Sequence, residues 1–169
     1  PEPPANNTSQ VLIVFLDESI EINDPNAGLV LCEPTGDTAF GYHNFFTTRA
    51  GNDFYYTIVP ALDDTCVQAS CPGGDASCSL SLTETQEQRR TQVASHEFAE
   101  MTTDPHLSGW YDQQSGENGD ICNGEADTIT VGANTWTVQR TYSKTDDMNS
   151  NGATYCISSA PSPIPPLPL

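Results

Sequence analysis

TETQEQRRTQVASHEFAEMT, residues 83–102, is the longest stretch of this sequence with a helical pattern, and the other elements can be placed around it. Thr83 followed by Gln86 predicts a capping box, because each side chain can accept a hydrogen bond from the other residue's backbone N–H. Asp104-Pro105 predicts the end of the helix, since proline disfavours the α conformation of the residue before it. Apolar residues at helical spacing predict one buried stripe, formed by Val93, Ala94, Phe98 and Met101.

Within this helix, residues 95–100 read Ser-His-Glu-Phe-Ala-Glu and form an HExxE motif. His96 and Glu100 are four residues apart, so both side chains lie on one helix face and can reach one metal ion. Glu97 occupies the position in which zincins carry the general base that acts on metal-bound water. Carboxylates are ordinary zinc ligands, and a catalytic zinc site has three protein ligands and a water. The motif therefore predicts a zinc site that needs one further ligand.

Three downstream residues are candidates for this third ligand, and the residue pattern leaves the choice open. His106 stands ten residues after His96, which is the metzincin spacing, but Thr103 replaces the glycine of that pattern. Asp104 lies two turns along the helix, where a cap or turn residue is expected. Asp120 lies two residues before a cysteine, so a disulfide could fix its position well enough for coordination.

Runs rich in β-forming residues predict strands around the helix. Residues 11–16 form a continuous apolar run within a predicted strand at 11–17, which is typical of a strand buried on both faces. Residues 54–60 predict a strand that its proline stops, and residues 127–142 predict a hairpin around Gly132-Ala133-Asn134. We expect an α+β fold in which these strands form a small mixed β-sheet packed on the long active-site helix, zincin-like and disulfide-stapled.

The two ends of the chain differ in composition from its middle. Residues 1–9 are rich in Pro and Asn and predict a flexible N-terminal segment. Residues 159–169 form a Pro-rich tail of extended character. A length of 169 residues suits one domain of ordinary size, so we expect residues 10–158 to form a single zincin-like domain.

The six cysteines predict three disulfides and an oxidising compartment. The spacings Cys-x4-Cys and Cys-x6-Cys lack the paired C-x2-C knuckles of a thiolate zinc site. Two overlapping glycosylation sequons in residues 6–9 agree with a secreted, extracellular protein. Six cysteines allow 15 pairings, and the sequence does not choose among them; the residues are Cys32, Cys66, Cys71, Cys78, Cys122 and Cys156.

The chain is strongly acidic, with 5 Lys and Arg against 23 Asp and Glu and a net charge of −18. Such a surface repels phosphate backbones and anionic lipid surfaces, so we expect neither a nucleic-acid nor a membrane partner. No apolar run approaches the roughly 18 residues that a membrane span needs. We expect a monomer.

Several separated motifs form a common pattern: residues 95–100 (SHEFAE), 103–105 (TDP), 109–112 (GWYD), 119–122 (GDIC), 41–43 (GYH), 56–60 (YTIVP), Val138-Gln139 and Cys156. Together they resemble the plant Exordium-type (phosphate-induced) proteins and their bacterial and fungal relatives. The resemblance spans roughly residues 11–157 and implies a functional set of His96, Glu97, Glu100 and Asp120, with His43 beside it. It disfavours His106, and it implies an extracellular location with growth-related effects; the chain departs from the family at Tyr142, where relatives commonly carry Trp.

Two smaller signals concern the surroundings of the site. Trp110 and Tyr111 could line a substrate cleft, although an aromatic pair after a helix more often packs. Residues 147–152 match the first half of a Ca2+ loop, but position twelve is Ser158 instead of Glu, so a turn rich in Asx residues is favoured over a calcium site.

The hypothesis drawn from these patterns is a secreted zinc metallopeptidase that acts on a peptide or protein substrate. One Zn2+ is held by His96, Glu100 and Asp120, and Glu97 takes the proton from the water that attacks the peptide carbonyl. The alternatives are an extracellular binding or signalling protein with a structural metal, and a hydrolase of non-peptide cell-wall material. A structural site does not need a carboxylate at position 97, so Glu97→Gln discriminates the first alternative.

Overall fold

The computed structural model of the protein describes residues 11–20, 22–24, 29–32, 38–71, 78–150 and 155–157. The predicted flexible lead-in, the sequons and the Pro-rich tail lie outside these residues. The fold is α+β, with small sheets and three disulfides. Its elements are β1 Val11–Phe15, β2 Asn23–Asp24, β3 Leu29–Leu31, β4 Thr38–Ala39, β5 Tyr42–Thr47, β6 Asp53–Val59, α1 Asp64–Ser70, α2 Gln86–Thr103, α3 Asn118–Ile121, β7 Ala126–Val131, β8 Asn134–Gln139 and α4 Lys144–Ser150.

A mixed three-stranded sheet has the order β1-β6-β5, with β1 parallel and β5 antiparallel to β6. The strand predicted at 54–60 is confirmed as Asp53–Val59. The prediction that the first strand is buried on both faces is wrong. β1 is an edge strand, and four of its five side chains are exposed, because helix α2 packs on β5 and β6.

The predicted hairpin is confirmed, but it does not belong to the same sheet as β1 and β6. β7 and β8 form a two-stranded sheet of their own, and β8 packs against the other side of α2. The turn is Gly132-Ala133, with Gly132 at φ +63°, and Asn134 already lies in β8. Hydrogen bonds join β8 to the helix: for example, Thr91 Oγ1 donates to the Thr137 carbonyl at 2.7 Å, and the Gln139 N–H donates to Ser95 Oγ at 2.8 Å.

Helix α2 begins three residues later than predicted, and the capping box is formed by Thr85 and Gln88 instead of Thr83 and Gln86. The reason is local, since the Thr83 hydroxyl is already shared with that of Ser81 at 2.8 Å. The helix ends at Thr103 with Asp104 as its C-cap, as predicted.

The apolar stripe of α2 is narrower than predicted. Val93, Ala94 and Met101 are buried, but Phe98 is 45% exposed. The helix packs on β5 and β6 and on β8, and Phe98 remains exposed beside these contacts. Part of the buried face of the helix is polar instead of apolar, because it carries Glu97 and Glu100.

Three disulfides link Cys32 to Cys66, Cys71 to Cys78 and Cys122 to Cys156, so the predicted number of bridges is confirmed. The first two lie beside the apolar core, whose buried residues are Val59, Leu62, Cys66, Val67, Leu80, Val93 and Ala94. The third bridge ties the end of α3 to the segment after α4. None of the helices in the described ranges has the length and apolar character of a membrane span.

Candidate metal centre

Helix α2 and the short helix α3 bring the predicted ligands together. His96 Nε2 lies 3.0 Å from Glu100 Oε1 and 3.8 Å from Asp120 Oδ1. One ligand atom from each of the three residues lies within 4.8 Å of those of the other two. Ligand atoms arranged tetrahedrally around zinc are about 3.3–3.6 Å apart. The contacts of 3.0 and 3.8 Å lie just below and just above this range, and the three residues form a group that could hold a metal ion.

Helix α3 is held so that Asp120 can face the other two ligands. The Glu117 N–H donates to Asp120 Oδ2 at 3.0 Å, which leaves Oδ1 on the side of His96. Gly119 lets the backbone of α3 approach α2, because a Cβ there would lie 2.7 Å from Glu100 Oε1 and 3.0 Å from His96 Cε1. Any side chain at position 119 would have to displace a proposed ligand.

Gln139 on β8 fixes the orientation of the His96 ring. Its side-chain amide donates to the Gly119 carbonyl at 2.7 Å, so its oxygen faces His96 Nδ1 at 3.0 Å. Nδ1 must then donate the hydrogen bond, and in the neutral ring Nε2 carries the free lone pair. A hydrogen bond to the second ring nitrogen is the usual support of a metal-binding histidine.

A second group of ionisable side chains borders the first. His43 on β5 is buried, and its Nδ1 lies 3.4 Å from Glu97 Oε2 and 3.5 Å from Glu100 Oε2. Its Nε2 lies 3.6 Å from Glu117 Oε1, and neither of these two buried atoms has a hydrogen-bond partner. Gly41 permits this packing of β5 on α2, because a Cβ there would lie 2.8 Å from Glu97 Oε1.

Both groups border a cavity of about 570 Å³ between β5, α2 and α3. This volume lies within the range of ligand sites, roughly 300–1,000 Å³. Neither Trp110 nor Tyr111 is among the described residues that line the cavity. The acidic and imidazole groups on its wall are His43, His96, Glu97, Glu100, Glu117 and Asp120.

The close packing of these groups shifts their pKa values strongly in the metal-free protein. Burial opposes a charge on either histidine, but the adjacent carboxylates of Glu100 and Glu97 raise the pKa of His43 to about 10 and that of His96 to about 9. Burial also opposes ionisation of Glu100, yet the two histidines lower its pKa to about 2. Burial raises the pKa of Glu117 to about 7 and also raises those of Glu97 and Asp120.

We expect the metal-free protein to melt at a lower temperature at pH 9 than at pH 6. The two histidines contribute full stability below their ordinary pKa of 6.5 and lose it as the pH rises to about 9 and 10. Added zinc should oppose this trend, because its ligands must be deprotonated. Calorimetry after treatment with EDTA measures the shift, and His106→Gln should retain it. An equal or higher melting temperature at pH 9 would show that the histidines gain no protons on folding.

Two candidates for the third ligand lie away from the centre. His106 is exposed, and its Nε2 contacts Asp53 Oδ2 and the Tyr55 hydroxyl, each at 3.0 Å. The Asp104 carboxylate accepts hydrogen bonds from the backbone N–H groups of Ser108 and Gly109, so it serves the turn after α2. Neither residue belongs to the two groups that could bind a metal ion within the described ranges.

The remaining candidates also lie outside the cavity. Trp110 stacks on Tyr142, with ring centroids 5.8 Å apart, and Tyr111 is exposed. Residues 147–150 of the suggested calcium loop are helical in α4, and Asp147 accepts a hydrogen bond from the Tyr142 hydroxyl at 3.0 Å. The rest of that loop, 151–152, lies outside the described residues.

Sequence reasoning assigned no role to Gln139, Glu117 or Gly119 in this centre. Gln139 is 43 residues from His96, and no spacing rule connects a strand residue to a helix residue at that distance. Glu117 and Asp120 are three residues apart, which could have indicated that they cap the same short helix.

Comparisons of this chain with protein-family models, with curated proteins and with solved structures found no match. The resemblance to Exordium-type proteins therefore stays a prediction. Function has to be argued from the chemistry of the site.

Proposed function

We propose that this protein is a secreted zinc-dependent hydrolase with a zincin-like centre, and that it cleaves peptide bonds. The observation that carries the proposal is the grouping of one ligand atom each from His96, Glu100 and Asp120, which all lie within 4.8 Å of one another. The three disulfides are compatible with an extracellular location.

The donor set suits zinc in its catalytic form. One imidazole and two carboxylates are ligands that zinc accepts, and three protein ligands leave a position open for water or substrate. Zinc bound there would supply a Lewis acid that polarises a carbonyl and lowers the pKa of bound water. Glu100 Oε1 has no hydrogen-bond partner although His96 Nε2 is 3.0 Å away, which suits two atoms directed at a common ion.

Glu97 is the residue assigned to accept the proton. It follows His96 on α2, lines the same cavity and is buried. Burial raises its pKa from the ordinary value of 4.5, which improves a carboxylate as a proton acceptor at neutral pH. His43 Nδ1, 3.4 Å from Glu97 Oε2, holds the carboxylate in place.

An extended peptide is the substrate class that the surroundings favour. Among the described strands, β5 is an outer strand of its sheet, and it carries His43 at the cavity. Outer strands are the places where an extended peptide can add to a sheet through backbone hydrogen bonds. Such a peptide would pass beside Glu97 and the proposed zinc ligands.

Glu97→Gln should retain zinc and lose hydrolytic activity by about 10²–10⁴-fold, which is the usual contribution of a general base. The change keeps the shape of the side chain but removes its ability to accept a proton. Activity can be measured by mass spectrometry of peptide-library digests, with zinc content determined on the same samples. Glu87→Gln is the matched control, because Glu87 lies exposed in the first turn of the same helix.

Two results would contradict this assignment. If the wild-type protein binds zinc but cleaves no peptide in the library, and Glu97→Gln changes nothing, the metal is structural. If wild-type protein cleaves cell-wall polysaccharide instead, and Glu97→Gln abolishes that activity, the general base stands but the substrate class is wrong.

A further inference from the structure

We propose that His43, Glu97 and Glu100 form a second, weaker divalent-cation site that shares Glu100 with the first. The proposal rests on the proposed function for the identity of the first site. When the second site is filled, Glu97 becomes a metal ligand and no longer accepts protons. Excess metal would then inhibit the hydrolase by occupying its general base.

The spacing of these three residues is that of a metal site. His43 Nδ1 lies 3.4 Å from Glu97 Oε2 and 3.5 Å from Glu100 Oε2. Tetrahedral ligands of zinc are about 3.3–3.6 Å apart, so both distances fall in the expected range. One ligand atom of each residue lies within 4.8 Å of those of the other two.

The two oxygens of Glu100 face different histidines. Oε1 lies 3.0 Å from His96 Nε2, and Oε2 lies 3.5 Å from His43 Nδ1. One carboxylate can therefore give one oxygen to each ion, as in two-metal hydrolytic sites, where the ions are about 3.5–4 Å apart.

Unpaired buried groups give independent support. His43, Glu97 and Glu100 are 6%, 5% and 4% exposed. His43 Nε2 and Glu117 Oε1 are buried without a hydrogen-bond partner, which is costly unless something else satisfies them. With a cation on Nδ1, His43 Nε2 carries the ring hydrogen and faces Glu117 Oε1 at 3.6 Å, as in carboxylate–histidine–metal arrangements.

The charge of the cavity also favours two ions. Four carboxylates line it, from Glu97, Glu100, Glu117 and Asp120, and the described lining contains no Lys or Arg. One divalent cation balances two of these four charges when both histidines are neutral, and a second cation balances the remainder. Charges without a partner are strongly disfavoured at the buried residues Glu97 and Glu100, and less so at Asp120, which is exposed.

The second site should be the weaker one. Its ligand Glu100 already contributes charge to the first ion, and two cations that share a carboxylate repel each other. Filling the site must also replace the direct contacts that His43 Nδ1 makes with Glu97 and Glu100. We therefore expect it to fill only after the site at His96.

Zinc titration by calorimetry on the metal-free protein tests this proposal. We expect two phases in the wild-type protein, a tight one and a weaker one, each of one equivalent. His43→Gln and Glu97→Gln should each lose the weaker phase and retain the tight one. His106→Gln removes a histidine that belongs to neither site and should keep both phases; circular dichroism verifies the fold of every variant.

The outcomes separate this proposal from the proposed function. One phase that is lost in His96→Gln but retained in His43→Gln would overturn the second site and leave the first. One phase that is lost in His43→Gln but retained in His96→Gln would overturn both, because no first site would remain to share Glu100.

A measurement on the wild-type protein does not depend on the folding of a variant. Two Co2+ ions that share one carboxylate are close enough for magnetic coupling. The electron paramagnetic resonance signal should then grow less than twofold between one and two equivalents of Co2+. A doubled signal would show that the second ion binds elsewhere and would overturn the shared site.

Discussion

Glu100→Gln is expected to lower the affinity for zinc by about 100- to 1,000-fold. A four-ligand structural zinc site is worth about 10–16 kcal/mol, or about 2.5–4 kcal/mol for each ligand, and each 1.4 kcal/mol is a factor of ten. Glu100 is the residue common to both groups of candidate ligands, and it is buried at 4% exposure. The amide keeps the shape of the side chain, so the loss reports coordination.

Calorimetric titration at neutral pH measures this change. Glu87→Gln is again the control, since it removes an exposed carboxylate from the same helix and should bind zinc as the wild-type protein does. A Glu100→Gln variant with wild-type affinity would exclude Glu100 as a ligand. The proposed zinc site would then have only two of its three protein ligands, His96 and Asp120.

Arg89→Ala is expected to lower the free energy of unfolding by about 3–5 kcal/mol, as is typical when a buried hydrogen-bonded charge is removed. Arg89 is 1% exposed, and its Nε and Nη1 donate to the carbonyls of Ser81 and Leu62 at 2.9 and 3.0 Å. Each carbonyl left unpaired costs about 1–3 kcal/mol. The Asp64 carboxylate, 2.7 Å from Nη2, is 70% exposed and can be solvated instead, so it adds little.

Urea denaturation with the disulfides intact measures the stability of this variant. Arg140→Ala is the matched control, because Arg140 forms a partly exposed ion pair with Asp127 at 3.1 Å. Exposed pairs contribute about 0–1 kcal/mol, so the control should lose less than 1 kcal/mol. Equal losses in the two variants would show that the buried carbonyls find other partners.

The residues of the proposed zinc site were predictable where local geometry determines them. His96, Glu97 and Glu100 follow from spacing on one helix, and helix spacing does not depend on the rest of the fold. Asp120 was one of three candidates for the third ligand, and the resemblance to Exordium-type proteins favoured it. Its position before Cys122 made it a candidate, and the Cys122–Cys156 bridge does follow it in the structure.

The sequence could not show contacts that arise from packing between distant elements. The resemblance placed His43 beside the site, but its contact with Glu97 arises because Gly41, just before β5, lets the chain approach α2 closely. Gln139 reaches His96 because β8 packs on the same helix. The pattern of residues 11–17 indicates a β-strand but not its neighbours. An edge strand and a central strand can carry the same β-branched run, so its burial was predicted wrongly.

Zinc content after exhaustive dialysis tests the central claim most directly, with wild-type protein beside His96→Gln and Asp120→Asn. If His96, Glu100 and Asp120 hold the ion, the wild-type protein retains one equivalent of zinc. Both variants should then lose it while their circular dichroism remains unchanged. Wild-type protein that retains no zinc after being offered it, or a His96→Gln variant that retains a full equivalent, would contradict the account.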